Sequence, residues 1–218
     1  MPKPVLDAII NHLRLEAEIG GYEAEDQAEE ALENTYQVLG RLLNCNKDEI
    51  AVVENATVAW DMAFYGMPLE RGNVVLTTVS EYASNCIAYL QRAERDGIEV
   101  RVVPNDQEGQ LDVTALQKMI DDWVKLISIS HVPTSGGLIN PAADVGRVAR
   151  NAGVPYLLDA CQSAGQIKLD VDAIGCDMLS ATGRKYLLGP RGTGFLYVRK
   201  SMLEQLQLPL LDLHSAVW

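Results

Sequence analysis

Much of what marks a specialised chain is missing here. The four cysteines, Cys45, Cys86, Cys161 and Cys176, form no C-x-x-C pair. No histidine follows them at zinc-finger spacing, which argues against a disulfide framework and a structural metal site. No apolar run reaches the ~18 residues of a membrane span. The amino terminus, MPKPVLDAII, lacks the basic-apolar-small order of a secretory signal, so the cytoplasm is the default compartment. G-x-G-x-x-G does not follow the first strand pattern and G-K-[ST] is absent, which disfavours a dinucleotide fold and a P-loop. Basic residues are outnumbered, 18 against 30 acidic, for a formal net charge of −12. A phosphate backbone would be repelled, so nucleic acid is a poor partner. Much of the acid lies between Glu23 and Glu33 and reads as the solvated face of a helix.

What is present describes a globular α/β chain. With 48% hydrophobic and 22% charged residues, the composition is that of a packed domain rather than a disordered one. A chain of 218 residues can bury about 70% of its unfolded surface. Val5, Ile9, Leu13 and Ala17 recur at helical spacing, as do Ala28, Leu32, Tyr36, Leu39 and Leu43, with Gly20-Gly21 between the two patterns. After Asn46, short β-branched runs alternate with helical stretches. The runs are Ile50–Val53, Val74–Thr78, Val100–Val103, Leu126–Ser130, Tyr156–Asp159, Met178–Ser180 and Phe195–Val198. Helical patterns between them include Leu111–Ile120, begun by Asp112, and Pro141–Asn151, with Gly153 just beyond. This alternation predicts an α/β fold with a mainly parallel mixed sheet and helices on both faces. The last two strands have no helix between them, which predicts an antiparallel edge.

Ligands of such sheets bind outside the carboxyl ends of the strands, and three segments there carry polar residues. Glu54-Asn55-Ala56-Thr57 opens a helix whose exposed amides and dipole suit an anion, although a simple cap by Asn55 or Thr57 explains it equally. Tyr156-Leu-Leu-Asp159-Ala-Cys-Gln162 sets a carboxylate at the tip of an apolar strand. There it caps a turn or meets a buried cation such as a protonated pyridine nitrogen, with Gln162 donating to a ring oxygen. Ser180-Ala-Thr182-Gly183-Arg184-Lys185, followed by Gly189-Pro-Arg-Gly192-Thr-Gly194, presents an amine beside phosphate-binding groups, or is a solvated basic loop. His131 ends an apolar strand and reads as a core or a catalytic histidine; Cys161 reads as a small buried thiol.

Taken in order, these motifs resemble the class V aminotransferase family of fold-type I enzymes dependent on pyridoxal 5'-phosphate (PLP), above all its cysteine desulfurase, selenocysteine lyase and isopenicillin-epimerase-like branches. The resemblance runs from about Asp48 to Tyr197. SATGRKYLLGPRGTGFLYV is similar to the segment whose lysine holds PLP as a Schiff base, which implies Lys185 as the catalytic residue, with Thr182 and Arg184 beside the phosphate. LLDACQSAGQ implies Asp159 as pyridinium partner and Gln162 as ring-oxygen donor. ENATVAW implies phosphate contacts at Ala56 and Thr57. SEYASN resembles the segment that stacks on the ring, with Tyr82 where desulfurases usually carry His. HVPTSGGLINP implies that Thr134 reaches cofactor and substrate, where desulfurases tend to have Asn. Arg184 stands where desulfurases usually have His, and the form as a whole looks closer to the epimerase-like and carbon–sulfur lyase members.

The resemblance thus implies a PLP-dependent enzyme acting on an amino acid, by carbon–sulfur lyase or desulfurase-like chemistry, working as a homodimer. Aminotransferase or epimerase-like outcomes stay open, as does a PLP-fold domain without turnover that acts through oligomer contacts. The organisation it implies is a helical segment over 1–46, a PLP-binding large domain over 47–206, and a connector over 207–218 toward a small C-terminal domain not contained in this chain.

Overall fold

In a computed structural model, which describes residues 1–211, two helices open the chain. Helix α1 spans Lys3–Ile19 and α2 spans Gly21–Leu43, with Gly20 between them. α1 buries no residue of its own, whereas α2 buries Ala24, Gly40 and Leu43. Of the connector expected over 207–218, the part from 212 onward lies outside the described residues.

Seven strands follow: β1 (Ile50–Val53), β2 (Val74–Thr78), β3 (Glu99–Val103), β4 (Val124–Ser130), β5 (Tyr156–Asp159), β6 (Met178–Thr182) and β7 (Gly194–Val198). Their order in the sheet is β1-β7-β6-β5-β4-β2-β3. β2 through β6 pair in parallel, while β7 runs antiparallel to both β6 and β1. The antiparallel strand is therefore not an edge, as the sequence predicts, but lies one place in. The physical reason is coverage: β7 is buried along its whole length, and the half-exposed β1 takes the edge outside it.

The sheet is apolar on both faces because successive side chains of each strand point to opposite sides. Val74 and Leu76 join one core cluster and Val75 the other; Leu158 and Leu157 divide the same way. One face is covered by α3 (Ala56–Gly66) and α4 (Ala83–Asp96), whose Trp60, Phe64 and Tyr89 form an aromatic group with ring centroids 4.6–5.4 Å apart. Full burial of a side chain such as Phe64 contributes about 1.5–3 kcal/mol. The other face packs against α2, α5 (Val113–Met119), α6 (Ala142–Ala152) and α7 (Val171–Ile174). The expected caps are in place: Asp112 accepts from the amides of Thr114 and Ala115, and Gly153 ends α6 in the left-handed region.

One buried cation ties the α3–α4 face together. The Arg92 guanidinium donates to the carbonyls of Phe64, Met67 and Leu69 at 3.0–3.2 Å where the chain leaves α3; those of Phe64 and Met67 also accept from the amides of Met67 and Leu69. Its Nε donates to Asp96 at 2.6 Å. The carboxyl ends of β1, β2, β4, β5 and β6 all reach the same edge of the sheet, and the loops leaving them frame one crevice.

Candidate active site

That crevice is a cavity of about 410 Å³. Ala56, Thr57, Tyr82, Thr134, Asp159, Gln162, Thr182, Arg184 and Lys185 all line it, so the nine positions that the motifs implied for the cofactor share one space. They arrive from five segments: the start of α3, the start of α4, the loop after β4, the end of β5 and the end of β6.

At the start of α3, Asn55 caps the helix by accepting from the Val58 amide at 2.9 Å. The capping reading and the anion reading are compatible here. Asn55 serves Val58, which leaves the amides of Ala56 and Thr57 at the cavity without intrahelical acceptors, at the positive end of the helix dipole. Gly194 makes this geometry possible, because a Cβ there would lie 2.6 Å from the Asn55 carbonyl carbon. Any side chain at 194 pushes the α3 turn out of place.

Asp159 ends β5 and is 7% exposed. Its carboxylate accepts from the Cys161 amide at 2.8 Å and from Asn85 Nδ2 at 3.2 Å, and among the described residues no cation pairs with it. Burial raises its pKa above the ordinary carboxylate range, opposed by those two donors and by the charge of Lys185. Lys185 follows β6 in a turn closed by the Leu188 amide on the Lys185 carbonyl, 3.0 Å. Its Nζ lies 6.0 Å from the centre of the Tyr82 ring. Gly165 backs this turn, where a Cβ would meet the Tyr186 carbonyl carbon at 2.6 Å. Thr182 donates its hydroxyl to the Thr193 carbonyl at 3.2 Å, so its hydrogen is already engaged within the chain.

One expectation changes, for Cys161, and one alternative is selected, for His131. Cys161 is not a buried core thiol but half-buried and part of the cavity wall; burial and Asp159 raise its pKa, against the influence of Lys185. His131 is buried outside the wall, its Nδ1 has no partner among the described residues, and burial lowers its pKa. Its desolvation disfavours the charged imidazolium. Sequence reasoning passed over Asn85 and Ser130, which also line the cavity. A signal for Asn85 existed. Residues 85, 88, 89 and 92 form the buried stripe of α4, and an Asn inside a buried stripe needs a partner. Among the described residues, no group of three His, Cys, Asp or Glu could hold a metal.

With this geometry in place, known proteins give a direct comparison. The aminotransferase class-V profile matches residues 1–212. The chain belongs to the class-V aminotransferase family. Curated relatives include a probable cysteine desulfurase of Methanothermobacter thermautotrophicus, 31% identical over 94% of this chain and 52% of its own length. Another is a probable cysteine desulfurase of Xylella fastidiosa, 36% identical over 81% of this chain and 43% of its own. Among solved structures, the apo cysteine desulfurase of Thermococcus onnurineus NA1 superposes with a TM-score of 0.87 at 26% identity, over 97% of this chain and 54% of that one. A complex of the cystine C–S lyase C-DES with its reaction product cysteine persulfide gives 0.88 at 25% identity, over 95% of this chain and 56% of that one. This member of the family spans about half the length of the curated relatives it matches.

Proposed function

We propose that this chain is the cofactor-binding part of a PLP-dependent enzyme that acts on a sulfur-containing amino acid by carbon–sulfur lyase or cysteine-desulfurase-like chemistry. One observation carries the reading: a buried carboxylate without a cation, Asp159, and a lysine amine, Lys185, face the same cavity. A carboxylate so buried calls for a positive partner, and a pyridinium nitrogen is one that a cavity of about 410 Å³ can admit. The other walls fit the rest of the group. The free α3 amides of Ala56 and Thr57, with Arg184, suit its phosphate. Gln162 is available to the ring oxygen and Tyr82 to the ring face.

When bound, PLP supplies an electron sink for negative charge developing at an amino-acid α-carbon. This chain's residues do the remainder. Lys185 is the amine that would hold the cofactor's aldehyde, and its ε-amine would move a proton at the substrate α-carbon. Asp159 would hold the protonated ring nitrogen. Thr134 stands where the substrate would meet the wall. The desulfurase and C–S lyase names of the relatives support the choice of sulfur substrate, and pairing with a second copy is supported by Ile87 and Leu90, 67% and 70% exposed on α4.

The test is a titration of the purified protein with PLP, read by visible absorbance. A band lost in Lys185→Ala supports the cofactor reading, and its absence in the wild type ends it. Sulfide release from cysteine or cystine then separates turnover from binding. A band without product favours the alternative in which the chain binds cofactor without turnover, a reading that rests on the share of its relatives that it spans.

A further inference from the structure

Glu81 is a second acid at this site, set behind the cavity wall rather than in it. It precedes α4, and four donors converge on its carboxylate. Oε1 accepts from the Tyr82 amide at 2.7 Å, from Asn85 Nδ2 at 3.0 Å and from the Ser130 hydroxyl; Oε2 accepts from the Thr77 hydroxyl at 3.1 Å. Tyr82, Asn85 and Ser130 all belong to the cavity wall. Asn85 uses its other amide hydrogen on Asp159 at 3.2 Å. One side chain amide thus bridges two carboxylates, and among the described residues no Lys, Arg or His pairs with either.

We propose that Glu81 and Asp159 form a bridged carboxylate pair in which Glu81 carries the proton and positions the wall, leaving the negative charge on Asp159. The hydrogen bonds identify the atom that holds the proton. Oε1 is saturated by three donors, so a proton sits on Oε2 and is donated to Thr77. Thr77 Oγ1 can pass its own hydrogen to the Tyr89 hydroxyl, 3.4 Å away, and Tyr89 donates to Ser128 Oγ at 2.9 Å. Every group in this chain keeps a partner with Glu81 neutral, so protonation breaks no bond. The groups facing Glu81 give no reason for a second charge. They are Asp159 from β5, Tyr89 and Cys86 from α4, and Tyr156 at longer range, all neutral or negative; Lys185 acts on Asp159 instead. Burial, aided by Asp159, raises the Glu81 pKa in the same sense, against the Ser130, Tyr82 and Asn85 bonds, which lower it. Two ionised carboxylates so placed would repel across a desolvated gap. The proton assignment stands on the chain itself; its consequence for a ring nitrogen at Asp159 rests on the function proposed above.

Glu81→Gln decides the matter, because its oxygen can accept from Tyr82, Asn85 and Ser130 while its amide donates to Thr77, as the protonated acid would. The PLP dissociation constant of the full chain should stay within about twofold of wild type, and the pH midpoint of the visible band within ~0.3 unit, since no charge is removed. Glu81→Ala, which releases three wall residues, should weaken PLP binding roughly tenfold. Infrared difference spectra of the apoprotein, wild type minus Glu81→Gln, should show loss of a protonated-carboxyl stretch at neutral pH. Loss of a carboxylate stretch, a fall of the midpoint by about a unit or more, or failure of Glu81→Gln to fold would each overturn the proposal. A wild type without a visible band would sink the cofactor reading alone, because the infrared result judges the pair in the absence of PLP.

Discussion

The two ends of α4 handle carboxylates in opposite ways. At its carboxyl end Asp96 lies against two arginines, Arg92 at 2.6 Å and Arg95 at 2.7 Å, and its pKa falls to about 2, first through the Arg95 bond. At its amino end Glu81 and Asp159 meet amides and hydroxyls but no cation, and burial raises both. A structural carboxylate brings its counter-charge within the chain. A carboxylate buried without one either takes a proton, as proposed for Glu81, or calls for a cation from outside, as proposed for Asp159.

The comparison can be broken at either end. The largest effect is expected for Asp159→Ala, which removes the proposed pyridinium partner. PLP affinity should fall a hundredfold to a thousandfold, from the roughly 3–5 kcal/mol that breaking a buried pair costs, as read by absorbance titration. Arg92→Ala should lower unfolding free energy by about 1–3 kcal/mol in urea denaturation, since the Leu69 carbonyl loses its donor and those of Phe64 and Met67 keep only a backbone amide each, while Arg95 still holds Asp96 and PLP affinity of the folded fraction holds. Asp96→Asn should cost about 1–2 kcal/mol at neutral pH. Its sign with pH is fixed: a depressed carboxylate stabilises above its ordinary pKa of 3.8, and that contribution disappears as pH falls toward about 2. The urea midpoints of wild type and variant should therefore converge in acid. Glu81 and Asp159 act in the other direction. Their raised values favour the folded apoprotein at low pH and lose that contribution as pH rises through them, so Glu81→Gln should flatten the upper part of the same curve.

Most of the elements were legible along the chain. The strand Tyr156–Asp159 agrees to the residue, and β4 and β6 extend only two residues beyond their apolar runs. Asp112 and Gly153 marked helix ends that the structure keeps. The interior place of β7 was not legible, since nothing in Phe195–Val198 says which strand will cover its far side. Nor was Glu81, whose donors come from β2, α4 and β4, or Asn85, which meets Asp159 across 74 positions of sequence.

By itself the sequence determined the period-2 and helical stretches, the caps between them, and which polar residues stand at the strand ends, because these depend on neighbours a few positions apart. Only the tertiary structure decided the order of the strands and hence the meeting of residues 55–57, 81–85, 130, 159 and 182–185 around one cavity. It also decided which carboxylates found an arginine and which did not. Burial and charge pairing are properties of the assembled sheet, and a side chain has neither until distant strands have closed around it.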